Sequence, residues 1–244
     1  TWPTEWTHIS DGLAISQFYK IDVWQGTDSL VILGGTQDNS HIYYNGSQWF
    51  NVFRADGMAA IIHPEDPRII YGSSQNANLR VSYDGGDSYT GGLDDFPQDS
   101  AFAVSTWITP YLMNPLNPDV LYAGFNKIWR SVDGGFNWEV FPAFGFNARP
   151  LREVTIHPSD TNAFAAIKDP SINGYVGTAF FSQDGGNTFA EVKDGLPLTE
   201  AFLSDIAFGN APTDLYATFA SHTEGEKVYR STDGGENWEN ISKD

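Results

Sequence analysis

The sequence predicts an all-β fold, a β-propeller of four-stranded antiparallel blades, and three observations lead to it. A segment of the form Ser-x-Asp-Gly-Gly-x-x-aromatic occurs four times, with its aspartates at positions 84, 133, 184 and 233. The steps of 49, 51 and 49 residues are those of a repeated supersecondary unit. Short apolar runs bounded by Pro, Gly and Asn precede each copy and have the length of strands. Four strands in a repeat of this length make one propeller blade.

Each repeat has the same order of elements. Two short strands are separated by a polar turn that often contains Pro, a third strand leads into the Asp-Gly-Gly turn, and a fourth leaves it. Applied along the chain, this order predicts a single domain of about five blades. The predicted blades are 18–53, 59–90, 107–141, 153–192 and 203–242, with first strands near 18, 59, 107, 153 and 203.

The first of these blades is a degenerate copy of the repeat. Its turn between the third and fourth strands is one residue shorter and has Asn45-Gly46 in place of Asp-Gly-Gly. Trp49 stands at the position of the repeated aromatic residue.

Residues 1–10 predict one more strand. Trp6-Thr7-His8-Ile9-Ser10 parallels Trp238-Glu239-Asn240-Ile241-Ser242, the outermost strand of the last blade. Because every complete blade has its own fourth strand, we expect residues 1–10 to be the outer strand of a preceding blade. The chain is then part of a larger propeller, with open sheet edges covered by further blades or by a partner. A self-contained ring of five blades is the alternative.

The residue types in the repeated turn have a structural explanation. Glycine adopts positive φ without a Cβ penalty, and Ser and Asp side chains accept backbone N–H bonds within a turn. The aromatic residue covers the hairpin. Nothing in this arrangement requires a ligand, although calcium binding by the carboxylates stays open. The predicted structural residues are Ser82, Asp84, Gly86, Ser131, Asp133, Gly135, Trp138, Ser182, Asp184, Gly186, Ser231, Asp233, Gly235 and Trp238.

This turn resembles the Asp-box, or BNR, repeat, Ser-x-Asp-x-Gly-x-x-Trp, found between the third and fourth strands of propeller blades. The four copies in phase extend the resemblance over residues 18–242. Families with this repeat include sialidases, the sortilin luminal domain, photosystem assembly propellers and xyloglucan-degrading endoglucanases. The chain is most similar to Asp-box propellers of large secreted bacterial proteins, which implies an extracellular or cell-surface location. That similarity is carried by Gly12-Leu13-Ala14-Ile15-Ser16-Gln17-Phe18-Tyr19, Gly34-Gly35-Thr36-Gln37-Asp38-Asn39 and Ala55-Asp56-Gly57-Met58.

Composition restricts the function classes. Of 244 residues, 15% are aromatic and 18% charged, which favours a packed globular protein. The net charge of -18 argues against nucleic acid and anionic membranes as partners. There is no Cys, no transmembrane-length apolar run and no secretory leader, and the first residue is not Met, which favours a processed or excised segment. No cofactor and no metal are predicted.

Up-and-down connectivity places any binding site at one end of the blades. The Asp-Gly-Gly turns share an end with the turns between first and second strands, where His63 and His157 are predicted to pack rather than to bind a ligand. The longer loops collect at the other end, and extra loop length marks functional surfaces. Candidate ligand-binding residues there are Asp38, Asn39, Asp56, Gln75, Asp94, Asp95, Trp107, Phe144, Phe146 and Arg149. The same loops carry Arg54, Arg152, Asp169, Phe96, Phe102 and Tyr175.

Two functional hypotheses from different classes follow. The first is a non-catalytic binding or scaffold propeller that recognises a polysaccharide or another protein, because exposed aromatics beside carboxylates suit a sugar ring. In the alternative reading, these aromatics pack their own loops.

The second hypothesis is a glycoside hydrolase, which needs two carboxyl groups. Its candidates are Asp38 and Asp56, since 36–39 resembles the Thr-Asp-Ile-Gly-Gly segment of the xyloglucanase family. Gln37 interrupts that match, and the family's second acid comes from another propeller domain, which this chain lacks. A sialidase is disfavoured because Arg80, Arg130 and Arg230 belong to blade strands and the charge of -18 repels acidic sugars.

Overall fold

The computed structural model describes residues 15–27, 29–90, 105–141, 149–169, 177–199, 201–220 and 225–242. The predicted strand at 1–10 lies outside these residues, as do the candidates Asp94, Asp95, Phe96, Phe102, Phe144, Phe146 and Tyr175.

The described part of the chain is almost entirely β-structure, with one short 3-10 helix at Gln75–Ala77. None of its helices has the length and hydropathy that crossing a membrane requires. Its strands are β1 (Phe18–Gln25), β2 (Leu30–Thr36), β3 (His41–Tyr44), β4 (Trp49–Val52), β5 (Ala60–Ile62), β6 (Ile70–Ser74), β7 (Asn78–Ser82), β8 (Tyr111–Asn114), β9 (Asn117–Gly124), β10 (Ile128–Ser131), β11 (Glu139–Val140), β12 (Leu151–His157), β13 (Asp160–Lys168), β14 (Thr178–Ser182), β15 (Ala190–Val192), β16 (Phe202–Phe208), β17 (Leu215–Ala220), β18 (Val228–Ser231) and β19 (Glu239–Asn240).

These strands form five antiparallel sheets in which sequential strands are neighbours, here named blades 1 to 5. Blade 1 has the order β1-β2-β3-β4, and blades 3, 4 and 5 repeat it with β8 to β11, β12 to β15 and β16 to β19. Blade 2 has three strands, β5-β6-β7, and its outgoing segment pairs with β7 through a single bridge between Val81 and Thr90. The predicted fold class is confirmed.

The blades pack face to face through four apolar clusters, one between each consecutive pair. We name the face turned to the preceding blade the leading face and the opposite one the trailing face. Between blades 3 and 4, for example, Tyr122 and Phe141 of the trailing face meet Val154 and Phe164 of the leading face. Both faces of an inner blade are therefore buried, so its strands carry apolar residues on both sides.

Hydrogen bonds show which turns share an end of the blade. The first glycine of each Asp-Gly-Gly turn donates its N–H to a carbonyl in the turn between the first and second strands of the same blade, or at the start of the second strand. The four pairs are Gly85 to Arg68 at 2.9 Å, Gly134 to Asp119 at 2.8 Å, Gly185 to Asn162 at 2.9 Å and Gly234 to Thr213 at 2.9 Å. The described parts of the turns between second and third strands, and of the connections between blades, lie at the opposite end.

One predicted strand start differs from the structure. Sequence analysis placed the first strand of blade 3 near position 107, whereas β8 begins at Tyr111. Pro110 has no N–H to donate and disfavours helical backbone at the residue before it. Its carbonyl still accepts the N–H of Gly124 at 2.8 Å, so ladder pairing begins only there. Trp107 consequently lies in the connection to the strand rather than in it.

Candidate functional site

The Asp-Gly-Gly turns are closed by their own side chains. In each copy the Ser hydroxyl donates to Asp Oδ1 at 2.7–2.8 Å and accepts the N–H of the second glycine at 2.8–3.0 Å. The side chain four residues after the Asp donates to Oδ2, from Ser88, Asn137, Thr188 and Asn237. These bonds lower the pKa of Asp84, Asp184 and Asp233 to about 2. Burial acts against the shift at Asp133, yet the bonds from Asn137 still lower its pKa.

Asp38, Asn39, Asp56 and Gln75 lie together at the long-loop end. Asp56 accepts the N–H of Asp38 on Oδ1 and the side-chain amide of Gln75 on Oδ2, both at 2.8 Å. Asn39 donates to the carbonyl of Gln37 at 3.0 Å. Both oxygens of Asp56 therefore tie the loops of blades 1 and 2 together.

A pocket of about 450 Å³ lies at the long-loop end, between the innermost strands. We name it the axial pocket. It is lined by Lys20 of blade 1, Thr106, Trp107 and Ile108 of blade 3, Arg152, Glu153 and Asp169 of blade 4, and Ser204 and Asp205 of blade 5. A second cavity of about 90 Å³ shares Lys20 and Glu153 and is also lined by Ala59 and Ala60 of blade 2. The first strands of all five blades thus surround the two cavities.

Three β-bulges aim charged side chains at this pocket. The pairing of the first strand with the second shifts between Phe18 and Lys20, between Leu151 and Glu153, and between Leu203 and Asp205. A bulge re-aims the side chains next to it and is common beside functional sites. Lys20, Glu153 and Asp205 occupy the same position in blades 1, 4 and 5, each directly before a branched apolar residue of the strand.

The pocket holds two cations and three carboxylates. Lys20 Nζ donates to Glu153 Oε2 at 2.8 Å and so joins blades 1 and 4, which are not consecutive. Burial raises the pKa of Glu153 although Lys20 acts against it. Burial lowers the pKa of Lys20, but the attraction of Glu153 outweighs it, and the net shift is upward.

Arg152 connects blades 4 and 5 at the edge of the pocket. Its Nε donates to the carbonyl of Ser204 at 3.2 Å, and its guanidinium lies over the ring of Phe202, 4.7 Å from the centroid. Oδ1 of Asp169, the residue directly after β13, is 3.8 Å from Nη1 of Arg152. These contacts fix the guanidinium, so the polar groups of the pocket are held before any ligand binds.

Trp107 stands at the rim of the pocket with 57% of its surface exposed. The short loop that carries it is closed by two threonines. Thr106 donates to the carbonyl of Ile108 at 2.6 Å, and buried Thr109 donates to the carbonyl of Thr106 at 3.3 Å. The indole N–H is 3.5 Å from the hydroxyl of Tyr19. A fixed loop thus presents an aromatic face to solvent beside charged groups.

The structure brings together only part of the predicted site. Trp107 lines the axial pocket, with Arg152 and Asp169 from the same predicted loops. Asp38, Asn39, Asp56 and Gln75 form the separate cluster described above. Arg149 lies just before β12. Burial is the main cause that lowers the pKa of Lys168, and the positive charge of Arg149 lowers it further.

Among the residues that line the pocket, the sequence pattern did not identify the polar strand residues Lys20, Glu153, Ser204 and Asp205. They were assigned to strands and therefore excluded from the loop surface. A signal was present, because a charged residue stands directly before Ile21, Val154 and Ile206 in three of the first strands.

Within the described residues, no cluster of three His, Asp or Glu side chains could hold a metal ion. His63 directly follows β5 and His157 is the last residue of β12, and Nδ1 of each accepts backbone N–H groups of the turn that follows.

Comparison with known proteins supports the fold. No protein family model matches the chain. A xyloglucanase from Hypocrea jecorina is 29% identical over 123 residues, which are 50% of this chain and 14% of that protein. The chain therefore spans a small fraction of the length of this relative.

Solved structures cover more of the chain at lower identity. The GH74 xyloglucanase from Xanthomonas campestris matches 91% of this chain and 38% of its own, with a TM-score of 0.67 and 16% identity. YCF48 from Cyanidioschyzon merolae matches 92% of this chain and 71% of its own, with a TM-score of 0.63 and 15% identity. At such identities the likeness concerns the fold, and it agrees with the β-propeller seen in the sheets.

Proposed function

We propose that the chain is a non-catalytic propeller of an extracellular protein that binds a polysaccharide through the axial pocket. The observation that carries this is the exposed indole of Trp107 at the rim of a pocket lined by fixed charged groups. A sugar ring offers an apolar face for stacking and hydroxyls for hydrogen bonds, and this pocket supplies both kinds of partner. The similarity to xyloglucanases supports a carbohydrate ligand.

The charges favour a neutral sugar. Lys20 and Arg152 are paired with Glu153 and Asp169, and Asp205 adds a further carboxylate. Three carboxylates against two cations, in a chain of net charge -18, disfavour an acidic polysaccharide. We also assign the four repeated turns to the Asp-box type, because their side chains are consumed by the turn itself.

The test is calorimetric titration with neutral β-glucan oligosaccharides, including one derived from xyloglucan. We expect Trp107→Ala to weaken binding about tenfold, which corresponds to about 1.4 kcal/mol of lost stacking. Tyr83→Ala is the matched control, since Tyr83 is 44% exposed and lies beside an Asp-Gly-Gly turn at the opposite end. Equal affinities for Trp107→Ala and the unchanged chain would contradict the proposal. If the chain binds no sugar but binds a peptide, and Trp107→Ala weakens that peptide binding, the partner is a protein.

A glycoside hydrolase is the second candidate, and Glu153 is the observation that favours it. Burial raises the pKa of this carboxyl, as in general acids of glycosidases. Its ion pair with Lys20 stabilises the ionised form, which favours the binding proposal. Release of reducing ends from xyloglucan by the unchanged chain, lost in Glu153→Gln but retained in Asp56→Asn, would establish the hydrolase.

A further inference from the structure

Blade 1 exposes a face that every other blade buries. In the leading faces of blades 4 and 5, Val154 and Ile206 are each 2% exposed, and in that of blade 2 Ile62 is 5% exposed. Ile21, the counterpart of Val154 and Ile206, is 57% exposed, and Val23 on the same face is 53% exposed. Apolar residues alternate along β1 on a side that no described blade covers. Contiguous exposed apolar surface of this kind marks an interaction site.

The aromatic residue after the turn shows the same difference. Trp138, Phe189 and Trp238 are each 8% exposed because they pack on the preceding blade. Tyr89 of blade 2 is 41% exposed but still contacts Phe53 of blade 1, with ring centroids 5.7 Å apart. Trp49 of blade 1 is 53% exposed, and its one aromatic neighbour among the described residues is Tyr44 of its own blade.

In blades 2, 4 and 5 the second glycine of the turn packs against the preceding blade. A Cβ at Gly86 would lie 2.2 Å from Val52, one at Gly186 2.5 Å from Phe141, and one at Gly235 2.7 Å from Val192. Each of these partners lies at the end of the fourth strand of the preceding blade. Among the described residues, a Cβ at the corresponding Gly46 of blade 1 would meet only its own blade, with Leu30 O at 3.4 Å and Ser29 Cβ at 3.9 Å.

We propose that the leading face of blade 1 binds a further β-sheet of the same repeat. That sheet would set its inner strands against Ile21 and Val23, and an aliphatic or aromatic residue of its outermost strand over Gly46. All four interfaces between consecutive blades bury apolar residues of the strands, three of them also place a residue from the end of the fourth strand over the turn glycine, and the uncovered face continues the series. The repeat pattern predicted open sheet edges, whereas the uncovered surface in the structure is a sheet face.

A second copy of this chain fits the face less well. The surface that such a copy would offer is the trailing face of blade 5, where the Arg230–Asp214 ion pair stands at the position of the Arg130–Glu139 pair of blade 3. Two copies of charge -18 repel each other, which disfavours this contact. The occupant is therefore a separate sheet with a trailing face like those of blades 3 and 4.

The proposal is tested by supplying such a sheet. In an extended chain, a copy of residues 149–201, which contain blade 4, replaces residues 1–16. The copied Ala201 then directly precedes Gln17, just as Ala201 directly precedes Phe202 at the start of blade 5. Hydrogen exchange measured by mass spectrometry then compares β1 and β4 with and without the added sheet. We expect exchange in these strands to slow at least about tenfold. A second extended chain carries residues 105–149, which contain blade 3, as an independent donor.

The matched control is the first extended chain with Val192→Asp in the added copy, which removes the residue expected over Gly46. It should return blade 1 to the exchange rates of the original chain. If neither added sheet slows hydrogen exchange in β1 and β4, the proposal is wrong. This holds also if the added sheets stay unfolded next to this face. Dimerisation of the original chain that Trp49→Asp abolishes would assign the face to a second copy and also overturn it. No sugar is involved, so the outcome is independent of the axial pocket.

Discussion

Gly186→Ala tests the packing rule on which the array of blades depends. Gly186 is the second glycine of the turn in blade 4 and has φ of 82°, in the left-handed region. A Cβ there would lie 2.5 Å from Cε1 of Phe141 on the trailing face of blade 3. Phe141 cannot swing away, because it is 6% exposed and packed against Tyr122 and Phe164.

Two costs add in this variant. Left-handed backbone costs a non-glycine residue about 1–2 kcal/mol. Forcing a methyl group into a close-packed interface costs about 1–3 kcal/mol more. Gly186→Ala should therefore lower the free energy of unfolding by about 2–5 kcal/mol. Gly46→Ala in blade 1 is the matched control, since φ is 93° and no other described blade lies within 4 Å of a Cβ at Gly46. This variant should lose only the cost of left-handed backbone, about 1–2 kcal/mol.

The assay is urea denaturation, with tryptophan fluorescence and circular dichroism required to report the same midpoint. Phe141→Ala completes a double-mutant cycle, because it removes the ring that the new methyl group meets. The cycle should show a favourable coupling of about 0.5–3 kcal/mol. Equal losses for Gly186→Ala and Gly46→Ala, or no coupling to Phe141, would refute the reasoning.

Two further predictions concern titration and the loop cluster. Burial lowers the pKa of His41 from 6.5 to about 4. At a pH between these two pKa values, His41 binds a proton in the unfolded chain but not in the native chain. Stability should therefore fall as the pH falls through this window, by about 1.4 kcal/mol per pH unit, and His41→Gln should flatten that part of a pH series of urea midpoints. An unchanged slope in His41→Gln would assign the acid sensitivity to other groups. Asp56→Ala should cost about 1–2 kcal/mol while the chain still folds, because two hydrogen bonds are lost. Asp38→Asn should stay within about 0.5 kcal/mol of the unchanged chain in thermal denaturation, since the Asp38 side chain is exposed and Asn tolerates left-handed backbone. A loss at Asp38 as large as at Asp56 would contradict the bracing role of Asp56.

Much of the fold was predictable because its determinants are local. The Asp-Gly-Gly turns need Gly at positive φ, and Ser and Asp supply the bonds that close them, so the sequence of each turn records its structure. The period then places the strands between turns. The start of blade 3 was misplaced because Pro110 delays ladder pairing, an effect that a count of apolar residues does not capture.

The axial pocket was harder to predict, since it depends on where distant strands converge. Lys20 and Glu153 are 133 residues apart and meet only because blades 1 and 4 face a common axis. Bulges in three first strands turn charged side chains inward, and a strict alternation of inward and outward residues cannot anticipate them. Trp107 was predictable because an exposed aromatic in a long connection is a binding signal independent of register.

Hydrogen exchange in the presence of a xyloglucan oligosaccharide tests the central claim most directly, because it reports which end of the blades meets the ligand. The account predicts slower exchange in residues 105–109 and at the starts of β12 and β16, with the Asp-Gly-Gly turns unchanged. Slower exchange confined to those turns, or no change anywhere at a saturating sugar concentration, would contradict recognition at the axial pocket.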